Sequence, residues 1–157
     1  MAVKKVSYQK VSIKYGIYTG LAHIVYFLFM RVFGLLDVTE LSFLSGLFLV
    51  VGICLAINNF KKVSNGVINY FQGLAIGAIT GVVSSTILAF FLLFYISFFD
   101  ATYLNNLQAS AFFPQSLSML SLFVLTIIYG SWPGFWLAYI AMQWFKNPDH
   151  TMSEQIR

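Results

Sequence analysis

Residues 68–99, INYFQGLAIGAITGVVSSTILAFFLLFYISFF, contain no Asp, Glu, Lys, Arg or His. A helix needs about 20 mostly apolar residues to cross a hydrocarbon core ~30 Å thick, so this stretch is more than long enough to span a bilayer. Lys61 and Lys62 stand before it and Asp100 directly after it. Lysine and arginine favour the cytoplasmic side, which gives the span an expected direction, outward from the lysines to the aspartate.

Working outward, three more apolar stretches of spanning length lie at about 15–36, 41–60 and 117–145. Eight of the nine Lys and Arg residues fall between or beyond the spans: Lys4, Lys5, Lys10 and Lys14 in the head, Lys61 and Lys62 in one short loop, Lys146 and Arg157 in the tail. Asp37, Glu40 and Asp100 occupy the opposite connections, with Arg31 the one basic residue near that side. The connections after the first and second spans are short, which forces antiparallel neighbours. The expected fold is therefore all-α: a polytopic membrane protein with four transmembrane helices in an antiparallel bundle and both termini cytoplasmic. Its expected parts are a cytoplasmic N-terminal segment at 1–14, a transmembrane domain at 15–146 and a cytoplasmic tail at 147–157. Residues 100–116 are expected to form the one sizeable loop.

The lysine-rich head resembles the start of a secretory signal, but the apolar run behind it is long for a signal core. No small-x-small cleavage site follows, and a hairpin partner begins four residues later. An uncleaved first span is expected. Similar span ends, Leu36-Asp37-Val38-Thr39 beside Phe99-Asp100-Ala101-Thr102, hint at two copies of one helical hairpin.

Composition agrees with a membrane protein. Hydrophobic residues make up 59% of the 157 and charged residues 9%, with a mean hydropathy of +0.81; soluble domains carry charge on about a quarter of their residues. The net charge of +4 is dispersed at segment ends, not gathered on one face, so no nucleic-acid partner is expected. Cys54, the single cysteine, allows neither an intramolecular disulfide nor a metal-thiolate cluster.

Helices in lipid gain nothing from hydrophobic exclusion of one another, so close backbone approach through small residues does much of the work. Gly73, Gly77 and Gly81 repeat every four residues and continue into Ser84 and Ser85. The first span offers Gly16 and Gly20, and the fourth Gly130, Gly134, Ala138 and Ala141. In the second, Ser42, Ser45, Leu49, Gly52, Ala56 and Asn59 alternate steps of three and four, the spacing of a left-handed packing seam. Two readings stay open. The stripes hold one bundle together, or one of them, foremost the long glycine stripe, docks a partner protein or a second copy.

His23 is the one ionisable residue well inside a span, and such residues are functional suspects. Its neighbours at helical steps are Gly16, Gly20, Phe27 and Arg31, which points it toward the small-residue side. No second titratable group lies at its depth for a proton relay, so an interhelical hydrogen bond to a hydroxyl or carbonyl is expected. A lone histidine is a poor metal site. Arg31 is expected to snorkel outward toward Asp37 or Glu40. Pro133, inside the fourth span, removes the helical bond to the carbonyl of Tyr129 and should kink the helix. His23, Pro133 and Tyr129 together would be the polar intramembrane site of a small transporter or channel subunit. Trp132 and Trp136 flank the proline deeper than an interfacial belt, so their indole donors need partners; Trp144 sits where an interfacial anchor belongs. Phosphate loops, nucleophile elbows and His-Glu-x-x-His motifs are absent from the sequence. No catalytic residue, metal or cofactor is expected.

The stretch Asn65-Gly66-Val67-Ile68-Asn69-Tyr70-Phe71-Gln72-Gly73-Leu74-Ala75-Ile76-Gly77, with the helix ending Phe98-Phe99-Asp100, resembles a bacterial family of small four-helix membrane proteins classed as a domain of unknown function. The layout is similar over roughly residues 14–146. Many members have Asp-Pro where this chain has Asp100-Ala101. The resemblance implies the four-span topology and a bacterial inner membrane, and transfers no catalytic residue. The expected role is that of an accessory or assembly subunit acting through helix contacts with the bilayer and with another membrane protein or a second copy.

Overall fold

A computed structural model describes residues 7–36, 39–64, 66, 68–109 and 116–145, without the side chains of 39–43. Lys4, Lys5, Asp37, Asn65, Lys146, His150 and Arg157 lie outside the described residues, as do the side chains of Glu40 and Ser42. Within them the chain is all-helical: α1 (Tyr8–Val32), α2 (Thr39–Val63), α3 (Tyr70–Phe98), α4 (Thr102–Ala109) and α5 (Met119–Phe145). The four long helices are each long and apolar enough to cross a membrane.

Two boundaries differ from the sequence expectation. α1 begins at Tyr8, so Lys10 and Lys14 belong to its first turns. Lysine is a good helix former and its stem can lie along the helix while the ammonium stays in the wetter layer; Lys14 Nζ sits 5.8 Å from the Tyr18 ring centre. The supposed loop after α3 contains α4, started by the Asp100 carboxylate accepting from the Thr102 N–H at 3.1 Å and from its hydroxyl. That is the capping that aspartate supplies at a helix start.

The other ends are built locally. Gly34, at φ +67°, closes α1: its N–H reaches the Arg31 carbonyl at 3.1 Å and the Leu35 N–H the Met30 carbonyl at 2.9 Å. This is a Schellman stop, which needs a left-handed residue at that point. α3 opens on Asn69, whose side chain accepts from the Phe71 N–H at 3.3 Å while Gln72 Oε1 accepts from the Asn69 N–H at 3.2 Å. The Asn-x-x-Gln spacing is thus a reciprocal cap.

α3 is the central helix. It packs most extensively on α5, then on α1, and also meets α2. Its sequence is apolar on every side, as a helix covered by several neighbours requires. Of the most apolar 18 residues, 44% are buried in α3 but 11% in α5, which therefore leaves most of its circumference outward. The α3–α5 pair is far more extensive than α1–α2, so the two hairpins are not equivalent in packing.

The bundle has two unlike halves. At the lysine end, Val11, Ile53, Ile57, Ile76, Ala138 and Met142 from all four long helices share one aliphatic core. Lys61 Nζ donates to the Phe145 carbonyl at 3.1 Å there, satisfying an orphan acceptor at the end of α5. At the Asp100 end the core is aromatic: Phe27 meets Phe91, Tyr95 and Tyr103 edge to face at 5.6, 5.1 and 5.5 Å. Leu117 and Leu122 close it from the α5 side.

Candidate functional site

The small residues singled out in the sequence are brought together inside the chain. A Cβ at Gly73 would collide with the side chain of Met142, one at Gly77 with the Ala138 Cβ, and one at Gly81 would lie 3.2 Å from the Gly130 carbonyl oxygen and the Gly134 Cα. Reciprocally, a Cβ at Gly134 would come 3.0 Å from the Gly77 oxygen, and one at Gly130 would strike Ser85. Gly16 and Gly20 face α3, where an added Cβ would come 2.7 Å from Val83 and 3.0 Å from Ile87. The long stripe is the α3–α5 contact, and the short one is the α1–α3 contact. Of the two readings left open, internal packing is the one the geometry occupies.

Hydroxyls reinforce these seams. Ser85 Oγ donates to the Gly81 carbonyl at 2.8 Å and lies 3.4 Å from Ser131 Oγ and the Ile127 carbonyl across on α5. Thr80 Oγ1 donates to the Ser12 carbonyl of α1 at 3.4 Å. Ser84 is buried and bonds back to Gly81 at 3.1 Å. Gly52 of α2 closes on Thr19 of α1. In lipid such interhelical bonds contribute about 0.6–2 kcal/mol each.

His23 makes the expected interhelical bond to a carbonyl, but on a different side from the glycines. Gly16 and Gly20 turn toward α3, whereas the imidazole turns to α2, its Nε2 3.0 Å from the Ser45 carbonyl and its ring 6.2 Å from Phe48. A carbonyl only accepts, so Nε2 carries the hydrogen and Nδ1 is left as a lone-pair acceptor. That Nδ1 is buried and has no hydrogen-bond partner among the described residues. His23 lines a cavity of about 170 Å³ that Tyr26 and Phe27 of α1, Ser45 of α2, Leu92 of α3 and Tyr103 of α4 also line.

Pro133 and Tyr129 are elsewhere. Both are exposed on α5, which packs mainly on α3 and also meets α2, and α1 lies against α3 through its own separate seam. The structure does not bring them to His23. The expected kink is also not a break, since α5 runs uninterrupted through Pro133. The ring faces outward, where it meets no neighbouring helix, and membrane helices tolerate proline in such places.

Arg31 pairs with Asp100 at 2.7 Å; Asp37 and the Glu40 side chain, its expected partners, lie outside the described residues. The Asp100 side chain is 13% exposed and that of Arg31 49%. The Thr102 hydroxyl holds the Asp100 carboxyl below the ordinary aspartate value; desolvation opposes it, and the Arg31 charge adds a smaller lowering. Sequence spacing missed this pair because the partners are 69 positions apart; the signal was the lone basic residue on the acidic side. Tyr26 and Tyr103 were missed as well, being ordinary until α2 and α4 are placed, and Ser45 was read only as part of the α2 packing seam. Among the described residues no cluster of three or more His, Cys, Asp or Glu could hold a metal. Cys54, half-buried, is a free thiol.

The sequence profile of the family described as "Protein of unknown function (DUF4199)" matches residues 14–112. The chain belongs to that family. The match takes in α2, α3, α4 and α1 from Lys14 onward, so the DUF4199 region contains the His23 cavity and the Arg31–Asp100 pair, while α5 lies beyond it. No curated protein and no solved structure matches the chain significantly.

Proposed function

We propose that this DUF4199 protein is a non-enzymatic accessory or assembly subunit of a bacterial inner-membrane complex, with both termini cytoplasmic, and that a helix of another membrane protein packs against the outer face of α5. The observation that carries this reading is the aromatic ridge on that face. Trp132 and Trp136 are 66% and 49% exposed, and their ring contacts, at 6.2–6.3 Å, are to one another and to Phe135 and Tyr139 of the same helix. Indole N–H groups at mid-span have no water to bond, and tryptophan is enriched where a partner supplies an acceptor and a pocket. The glycine stripes of α1, α3 and α5 are used inside the bundle, so a partner would meet an outward face such as this ridge. Nucleic acid has no part in the reading.

The transporter alternative drew on a joint path through His23 and Pro133, and their separation across α3 removes that support. The test is purification from native membranes in mild detergent. A co-migrating membrane protein is expected with the wild type and not with Trp132→Ala/Trp136→Ala. A wild type that migrates as a bare monomer contradicts the proposal.

A further inference from the structure

We propose that the cavity between α1, α2, α3 and α4 is a binding site for a neutral, mainly apolar molecule carrying one hydroxyl, which donates its hydrogen to His23 Nδ1. The inference is independent of the accessory role and of the α5 ridge.

Three features select that chemistry. The first is the acceptor. With Nε2–H committed to the Ser45 carbonyl at 3.0 Å, Nδ1 is a buried lone pair without a partner. An unsatisfied buried polar atom is unfavourable, and a donor from a ligand would recover that loss. The second is size and lining. About 170 Å³ is comparable to the roughly 150 Å³ apolar cavity known to hold benzene. Phe27, Leu92 and the faces of Tyr26 and Tyr103 supply an apolar wall suited to a ring or a short aliphatic body. The third is charge. Among the described residues no carboxylate, lysine or arginine lines the cavity, so within that lining neither a cation nor an anion would find a counter-charge to offset its desolvation.

The cavity also has depth. His23 sits mid-way along the bundle, and Met30, two turns further along α1, lines the same space, with Tyr103 of α4 at its outer end. Seven residues of helix span about 10 Å. A hydroxyl at the inner end with an apolar body above it fits this shape. The shared chemistry has two sources, a free phenol or alcohol and the hydroxyl-bearing end of a membrane lipid.

The test places the full-length protein, carrying His150→Asn and ¹⁵N-histidine, in phosphatidylcholine nanodiscs. The His23 ring nitrogens are followed while phenol, its methyl isostere toluene, or a diacylglycerol is added. Phenol is expected to move the Nδ1 resonance in the direction of an accepted hydrogen bond and to bind about tenfold tighter than toluene, which leaves Nδ1 unmoved. A shift with diacylglycerol as well assigns the site to a lipid hydroxyl; a shift with phenol alone assigns it to a free small molecule. His23→Phe is expected to abolish the preference for phenol over toluene, and Leu88→Phe, which fills the cavity with His23 intact, to weaken both. Should His23→Phe not fold, the wild-type shift and the Leu88→Phe comparison still decide. Equal binding of phenol and toluene, or an Nδ1 resonance that no probe moves, overturns the proposal.

Discussion

The lysine end and the Asp100 end of this bundle are held by different means. At the lysine end four helices converge on aliphatic side chains, and α3 and α5 approach until Gly77 and Gly134 leave no room for a Cβ. At the Asp100 end the helices meet through aromatic rings and an ion pair, with a cavity beside them. Close packing there would have buried His23 and the tyrosine rings against backbone, whereas the looser arrangement leaves polar atoms addressable from within the membrane. One half supplies rigidity and the other a place where a ligand can enter, a division that a single helical bundle reaches by grading residue size along its length.

The largest effect expected in breaking this contrast comes from adding volume to the tight half. Gly77→Leu forces a side chain into Ala138 and should destabilise the protein by about 3 kcal/mol or more in thermal or denaturant unfolding, the upper range of overpacking costs. The opposite sign is expected for a comparable addition at the loose half: Leu88→Phe fills cavity space and should be neutral or stabilising by up to about 1 kcal/mol in the same assay. Equal losses at the two positions would erase the distinction between the halves.

Ser85→Ala sharpens it further. Removing a hydroxyl that links α3 with Ser131 and Ile127 of α5 should cost about 1 kcal/mol, read as a shift in unfolding midpoint. His23→Phe should change stability by less than about 1 kcal/mol. It removes an interhelical bond to Ser45 and, at the same time, an unpartnered acceptor, and the two oppose each other.

The smallest effect belongs to the ion pair. The Asp100 carboxyl is held below its ordinary value of 3.8, so whatever stability it contributes is present above that pH and is lost as pH falls through the lower folded value. Acid titration of the folded protein should show this step in the wild type, a smaller one in Arg31→Gln, where the Thr102 bonds remain, and none in Asp100→Asn. High salt should weaken it too, since Arg31 is half exposed.

The spans and their antiparallel order were legible because bilayer thickness imposes a length and because charge is nearly excluded from four stretches. The glycine stripe was legible as a packing surface, yet spacing alone did not tell an internal neighbour from an external one; that depends on which helix lies opposite. α4 was hidden in a stretch too polar and too short for a membrane rule, and its start rests on one Asp-x-Thr contact. His23 was visible as a lone ionisable group, but its direction was misread. Steps of three and four from Gly16 and Gly20 place it near their face, and the 3.6-residue turn rotates it far enough to reach α2. Arg31 and Asp100, far apart in sequence, meet only because α1 and α3 end at one level.

A disulfide trap reports directly on whether the α3 stripe packs within the chain. Ser85→Cys with Ser131→Cys, in a Cys54→Ser background, places two thiols where hydroxyls now lie 3.4 Å apart across α3 and α5. Oxidation in native membranes is expected to consume both thiols and leave a monomeric species on a denaturing gel. A cross-linked dimer with no intramolecular product would instead show the stripe facing a second copy, and would contradict the packing described here.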